Sequence, residues 1–158
     1  LLQSFYDVVQ KKPDYQLVIA GKKGWLFDDI FATVQKLKLT HQVIFTDFIS
    51  ESQKWTLLKQ ATALVIPSTY EGFGIPALEA MKVGTPIIAS YIPPLAEVVG
   101  ESGILIDPTK QSSLTQAMLK NLAKYKILGP KQAQNYTWPS SAKIILKLFQ
   151  SFASQPSL

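Results

Sequence analysis

The sequence predicts an α/β fold, a doubly wound parallel sheet with helices on both faces. Short apolar runs of strand length alternate along the chain with segments whose apolar residues recur at helical spacing. The strand-length runs are nearly all apolar, as expected for strands covered on both faces. With 158 residues, 47% hydrophobic and 17% charged, the chain is long enough for a single domain, residues 1–158, with a sizeable core.

The elements follow in order. Leu1, Leu2, Phe5, Val8 and Val9 recur at helical spacing, and Pro13-Asp14 closes that segment. Tyr15 to Ala20 is an apolar run stopped by Gly21, hence a buried strand. Leu26 to Leu39 returns to helical spacing through Leu26, Ile30, Val34 and Leu37. Val43 to Phe45 is the second strand, Glu51 to Ala61 a crossover helix, and Ala63 to Pro67 the third strand. Pro76 to Lys82 is a helix with proline in its favoured first turn. Pro86 to Ala89 is the fourth strand, with a short helix near Leu95 to Val99, and Gly103 to Ile106 is the fifth. Ser112 to Tyr125 reads as one longer helix. Ser140 to Phe152 closes the chain as an amphipathic helix, read as core or as a brace between domains.

In doubly wound sheets ligands bind beyond the carboxyl ends of the strands. Those ends are the loops after Ala20, Phe45, Pro67, Ala89 and Ile106. The chain opens inside a helix with no strand before it. A βαβ unit begins with a strand, so the expectation is that a first strand precedes residue 1.

Composition excludes several classes. There is no cysteine, hence no disulfide scaffold and no thiolate metal site, and a reducing, cytoplasmic compartment fits. The net charge is +5 and all sixteen basic residues are lysines, spread singly or in pairs such as Lys11-Lys12 and Lys22-Lys23. No basic block of the kind that binds nucleic acid is present, so no nucleic-acid partner is expected. The mild positive bias is compatible with anionic substrates or with peripheral contact at the inner face of a membrane. No apolar run reaches the ~18 residues of a membrane span, and the first residues lack the pattern of a signal peptide.

The chemistry concentrates after the third strand, in Ser68-Thr69-Tyr70-Glu71-Gly72-Phe73-Gly74-Ile75 and the helix that follows. Two glycines let the backbone turn tightly and approach a ligand. The first N–H groups of the helix lack intrahelical partners, and the helix dipole makes that end partly positive. Together they suit a phosphate or the oxygens of a sugar. Glu71 on the loop and Glu79 in the helix can approach one ligand from two sides. Acidic residues near a helix start and a Gly-Phe-Gly turn also have purely structural uses. The spacing Gly72-x-Gly74-x-x-Ala77 loosely fits a dinucleotide fingerprint, but Ser68 to Glu71 intervene between strand and glycine. The strand Pro86 to Ser90 also carries no acidic residue for a ribose.

Residues 67–108 closely resemble the signature of group 1 glycosyltransferases, the large retaining family with two Rossmann-like domains (the GT-B arrangement). In that pattern two glutamates are separated by seven intervening residues, as Glu71 and Glu79 are. The resemblance extends upstream through LVIAG and VIFTDFISESQKW and downstream to Tyr136-Thr137-Trp138, covering about residues 15–145. It implies the C-terminal, donor-binding half of such an enzyme, with a nucleoside-diphosphate sugar as donor and no metal or other cofactor. By resemblance, Glu71 lies beside the transferred sugar and helps stabilise charge at its anomeric carbon. The backbone of Gly72, Phe73, Gly74 and Ile75 holds sugar and diphosphate, and Glu79 accepts from the ribose hydroxyls. Ile49 meets the base through its backbone with Glu51 and Lys54 nearby, and Gly21 and Lys22 border the phosphates.

The family clamps the diphosphate with an arginine and a lysine after the domain's first strand, and this chain has no arginine. The expectation is that the clamp, the first strand and the acceptor-binding N-terminal domain all lie upstream, and that residues 1–158 alone fold without catalysing transfer. The acceptor, a sugar, lipid or small molecule, is not encoded here. Two rivals remain: a related nucleotide-sugar epimerase or phosphorylase, and a catalytically silent nucleotide-binding module.

Other candidates read as structural. Asp28-Asp29 lacks the Asp-x-Asp spacing of metal-dependent transferases and reads as a solvated helix face. His41 reads as a loop residue before a strand. Ser68 and Ser90 have no histidine arrangement that would make them nucleophiles. Trp25, Trp55 and Trp138 read as packing residues.

Overall fold

A computed structural model describes residues 1–22, 24 and 27–153. Trp25, Leu26 and Lys23 lie outside the described residues. The element order is α1 (Leu2–Val9), β1 (Leu17–Ile19), α2 (Phe27–Lys36), β2 (Val43–Phe45), α3 (Glu51–Gln60), β3 (Leu64–Ile66) and α4 (Ile75–Lys82). It continues through β4 (Ile87–Ser90), α5 (Pro93–Val99), β5 (Ile104–Ile106), α6 (Gln111–Met118), α7 (Tyr125–Ala133) and α8 (Trp138–Ala153). All strand pairs are parallel, in two pieces: β1 beside β2, and β3–β4–β5 in that order.

The central strand shows why the apolar run at 86–89 exists. All four residues of β4 are buried, and the period of two sends them to opposite faces. Ile87 and Ala89 pack with Leu58 of α3, Ala77, Ala80 and Met81 of α4, and Leu95, Val98 and Val99 of α5. Ile88 packs on the other face with Ile104, Ile106, and Leu114 and Ala117 of α6. The three-stranded piece is therefore covered on both faces, as the sequence predicts. The β1–β2 piece is not. Its inward residues share a cluster with Phe5, Val8 and Val9 of α1 and Val34 of α2, whereas Val18 and Ile44 on the opposite face are 39% and 40% exposed.

Hydrogen bonds join the layers where side chains allow. Gln111 Nε2 donates to Asp7 Oδ2 at 3.0 Å and Ser4 Oγ to the Gln111 carbonyl at 3.2 Å, tying α6 to α1. Thr85 Oγ1 donates to the Leu58 carbonyl in the buried junction of α3 and β4, where a missing bond would leave a polar atom unpaired. A Cβ at Gly103 would lie 2.6 Å from Val99 Cγ1 and 2.9 Å from the Ile87 carbonyl oxygen. Only glycine lets β5 approach β4 there.

Three expectations need correction. The single helix over 112–125 is instead α6, ending at Met118, and a separate α7 from Tyr125. Asn121 Oδ1 accepts from the Ala123 amide at 2.9 Å, a side-chain turn that competes with helix continuation, and Leu122 turns inward to the core. α7 contains Pro130, a residue that normally argues against a helix interior. A Cβ added at the neighbouring Gly129 would stand 3.3 Å from Met81 Cγ and 3.4 Å from its Cα and Cβ, so α7 packs closely on α4 there. The final helix is not core. α8 is exposed along its described side chains, with Ile144 69%, Phe149 66% and Phe152 62% accessible. Trp138 at its start is 84% exposed, not a packing residue, whereas Trp55 does pack on the α3–α4–α5 cluster. His41 is an exposed turn residue before β2, and Asp28 and Asp29 sit exposed in the first turn of α2. No helix among the described residues is long and apolar enough to cross a membrane.

Candidate functional site

The loop between β3 and α4 is built by its glycines. Gly74 caps α4 with φ 104°, in the left-handed region that favours glycine. Its carbonyl accepts from Ala77 at 3.0 Å and Leu78 at 3.3 Å, which closes the first turn. A Cβ on Gly74 would stand 2.9 Å from Leu95 Cδ2, so the loop rests directly on α5. Gly72 has nothing within 4 Å of its Cβ position and presents bare backbone to open space. Among the described residues, the amides of Gly72, Phe73, Gly74 and Ile75 donate to no protein acceptor, and Pro76 has no N–H. Four adjacent donors at the positive end of a helix suit an anion or sugar oxygens.

Phe73 is braced from an unexpected quarter. Its ring meets Tyr136 edge-on, centroids 5.9 Å apart and planes at 72°. Tyr136 Oη donates to the Glu97 carbonyl at 2.9 Å, fixing it against α5, and burial pushes its phenol pKa up. Tyr136 is thus a support of the loop that sequence reasoning did not single out. Tyr136-Thr137-Trp138 resembles the family pattern, but nothing in the residue spacing links Tyr136 to Phe73.

Glu71 is half-buried on the loop and, among the described residues, makes no hydrogen bond or ion pair. Glu79, in the second turn of α4, is engaged. Lys54 Nζ lies 2.6 Å from Glu79 Oε1 and 2.9 Å from Glu51 Oε1. Hydrogen bonds donated to the Glu79 and then the Glu51 carboxylate hold the Lys54 ammonium above its usual pKa range, so it is charged at neutral pH. The backbone explains the meeting. Ser50 caps α3 in a reciprocal box, its Oγ accepting from the Gln53 amide at 3.3 Å and its own amide donating to Gln53 Oε1 at 2.8 Å. That box fixes the start of α3, with Ile49 half-buried just before it, and Lys54 in its first turns reaches across to α4.

Gly21 and Lys22 form a second group at the carboxyl edge of β1–β2. The Gly21 amide donates to the Asp47 carbonyl at 3.0 Å, with Gly21 at φ 145° and Asp47 at φ 49°. They line a cavity of about 190 Å³ with Phe45 and Phe27. The fold therefore brings Lys54 into contact with both Glu51 and Glu79, sets Gly72 to Ile75 at the start of the same helix as Glu79, and leaves Gly21 and Lys22 in a separate hollow. A larger cavity of about 490 Å³ lies at the opposite end of β1–β2, lined by Tyr6, Gln10, Lys36 and Gln42 among others, and holds none of the predicted site residues. Its place at the amino ends of the strands is the wrong side for ligands in this architecture.

Comparison with known proteins agrees with the geometry. The family model described as "Glycosyl transferases group 1" matches residues 1–136. The chain is 29% identical over 145 residues to O-antigen chain mannosyltransferase B of Escherichia coli, covering 87% of this chain and 38% of that protein. Among solved structures, sucrose-phosphate synthase from Thermosynechococcus elongatus superposes with TM-score 0.83 at 26% identity, over 98% of this chain and 43% of that one. HepE from Anabaena, solved in complex with UDP, superposes with TM-score 0.84 at 19% identity, over 96% of this chain and 44% of that one. The chain thus spans 38% of the length of the E. coli relative and under half of these solved chains. Its architecture is that of one Rossmann-like half of a GT-B fold, and the chain belongs to the group 1 glycosyltransferase family.

Proposed function

We infer that this chain binds a nucleoside-diphosphate sugar and, within a longer protein, supplies the donor half of a retaining glycosyltransferase. The observation that carries this reading is the loop before α4, with four unpaired amides at the helix start and Glu71 and Glu79 on either side. The amides of Gly72 to Ile75 take diphosphate and sugar oxygens, Glu79 accepts from ribose hydroxyls, and Glu71 lies against the transferred sugar. Ile49 and Glu51 border the base, with Gly21 and Lys22 beside the phosphates. The anomeric C–O bond to phosphate breaks, an acceptor hydroxyl oxygen takes its place on the same face, and its proton passes to the departing diphosphate. Positioning and electrostatic stabilisation do most of this work. Family membership supports the reading, as does the UDP held by HepE.

Binding tests it. Titration of the chain with UDP, GDP and ADP is expected to give saturable binding of at least one. Glu79→Ala is expected to weaken that binding about 10- to 100-fold, the equivalent of ~1.5–3 kcal/mol for hydrogen bonds to a charged group. Binding of none of the three, even with the preceding residues restored, would favour a silent module that has kept the fold. Release of free epimerised sugar, or phosphate-dependent cleavage, would favour the epimerase or phosphorylase instead.

The reading extends to what surrounds the chain. β1 pairs only with β2 and β3 only with β4 among the described residues, and Met118 packs against the clusters of both pieces. A parallel strand from polypeptide preceding residue 1 would join them and feed α1 through a right-handed crossover. A preceding acceptor-binding domain would cover the apolar side of α8, where Ile145, Leu148, Phe149 and Phe152 recur at helical spacing. The chain covers only 38% of the mannosyltransferase's length, which leaves room for both. Residues 1–158 alone are then expected to bind donor without transferring sugar, and a protein carrying the preceding domain to transfer it and to protect α8 from hydrogen exchange. Transfer by the isolated chain would overturn this division of labour.

A further inference from the structure

The geometry points to Lys54 as the positioning residue of the donor site: it holds the Glu79 carboxylate in the orientation that receives the ribose hydroxyls, and thereby sets selection for ribonucleotides. This rests on the reading of Glu79 as the ribose acceptor. Lys54 comes from α3 and Glu79 from α4, 25 residues apart, yet their charged atoms meet at 2.6 Å. A second carboxylate, Glu51, approaches the same ammonium at 2.9 Å, and the Trp55 ring centroid lies 5.2 Å away. The ammonium thus has two carboxylates and an aromatic ring around it, which together keep it against Glu79.

Two consequences follow for Glu79. Its Oε1 carries the lysine, and a carboxylate has about four acceptor positions over its two oxygens, so Oε2 and the spare lone pair of Oε1 remain for a vicinal diol. A free glutamate side chain would have to surrender its rotamer freedom when a ribose arrives. Here the ion pair has already fixed it. Lys54 touches the carboxylate and is assigned no contact with the ligand. This differs from a place beside the base, which the family resemblance implies.

The test compares one nucleotide with and without its ribose hydroxyls, using the full chain and whichever of UDP, GDP and ADP it binds most tightly, beside the 2′,3′-dideoxy form of the same nucleotide. The wild-type chain is expected to prefer the ribonucleotide by about tenfold or more. Lys54→Met removes the charge while keeping an unbranched chain, and is expected to lose most of that preference, with dideoxynucleotide affinity within about twofold of wild type. Lys54→Arg restores part of it, and Lys54→Gln, which retains hydrogen bonding without charge, falls between. Thermal denaturation of each variant keeps folding separate from binding. Equal losses for both nucleotides in Lys54→Met would make the lysine a structural clasp between α3 and α4 and overturn the proposal. So would an unchanged preference in both neutral variants. Failure of the underlying reading looks different: the wild-type chain itself, or the Glu79→Ala variant, would then show the wrong preference, the first by having none and the second by keeping it.

Discussion

Glu71→Ala, made in an enzyme that contains this chain, is expected to lower kcat about 10²- to 10³-fold, the size of loss seen when one transition-state stabilising group is removed. Affinity for the nucleoside diphosphate should change by less than about threefold. The asymmetry follows from where the carboxylate stands. Glu71 is on the loop, half-buried, and takes part in none of the hydrogen bonds or ion pairs among the described residues, so its removal leaves the scaffold of α4 intact. An unengaged carboxylate beside four unpaired amides suits charge that appears only during reaction. An interaction made in the transition state alone lowers kcat without raising KM. Glu71→Gln separates charge from shape: if stabilising positive charge at the anomeric carbon dominates, glutamine is nearly as damaging as alanine. If hydrogen bonding to sugar hydroxyls dominates, glutamine recovers most of the rate. Wild-type kcat in both variants would remove Glu71 from the reacting centre.

The fold was largely legible in the sequence because its signals are local. The run Pro86-Ile87-Ile88-Ala89 announces a strand buried on both faces, and Ile87, Ile88 and Ala89 are so buried. Proline at the second position of α4 and the Ser50–Gln53 box before α3 mark helix starts at short range. Misreadings occurred where distant packing decides. Ser112 to Tyr125 reads as one helix, but Leu122 turns into the core and the Asn121 side chain accepts from the Ala123 amide, so the segment divides into α6 and α7. Trp138 reads as a core residue by type, yet no described part of the chain covers it. The same divide runs through the candidate site. Glu71, Gly74 and Glu79 share one short stretch, and their arrangement follows from a strand, a turn and a helix. The Lys54–Glu79 contact and the Tyr136–Phe73 contact join separate elements, across 25 residues in the first case, and no spacing rule encodes them.

The two loop glycines should respond to alanine in opposite ways. At Gly74 the backbone sits at φ 104°, where an L side chain is strained, and the added methyl would meet Leu95 Cδ2 at 2.9 Å. Leu95 is fully buried among α4, α5 and β4, so it has little room to give way. Strain and overpacking together are expected to cost roughly 1–3 kcal/mol, a fall in Tm on the order of 3–10 °C for a chain of this size. Nucleotide affinity should drop with it, because the turn that aims the amides of Phe73, Gly74 and Ile75 is lost. Gly72 is not among the residues with positive φ, and a methyl there meets nothing within 4 Å. Gly72→Ala should therefore fold with a Tm within about 1 °C of wild type, as surface changes generally do. Its methyl would instead occupy the open side of the loop where the transferred sugar is proposed to lie against the backbone. Binding of the nucleoside diphosphate alone should survive in Gly72→Ala, while binding of the nucleoside-diphosphate sugar weakens by about tenfold, ~1.4 kcal/mol. Equal affinities for the two ligands in this variant and in the wild-type chain would mean that the sugar does not approach Gly72. Normal stability together with the ligand-specific loss would locate the sugar against that glycine, between Glu71 and the start of α4.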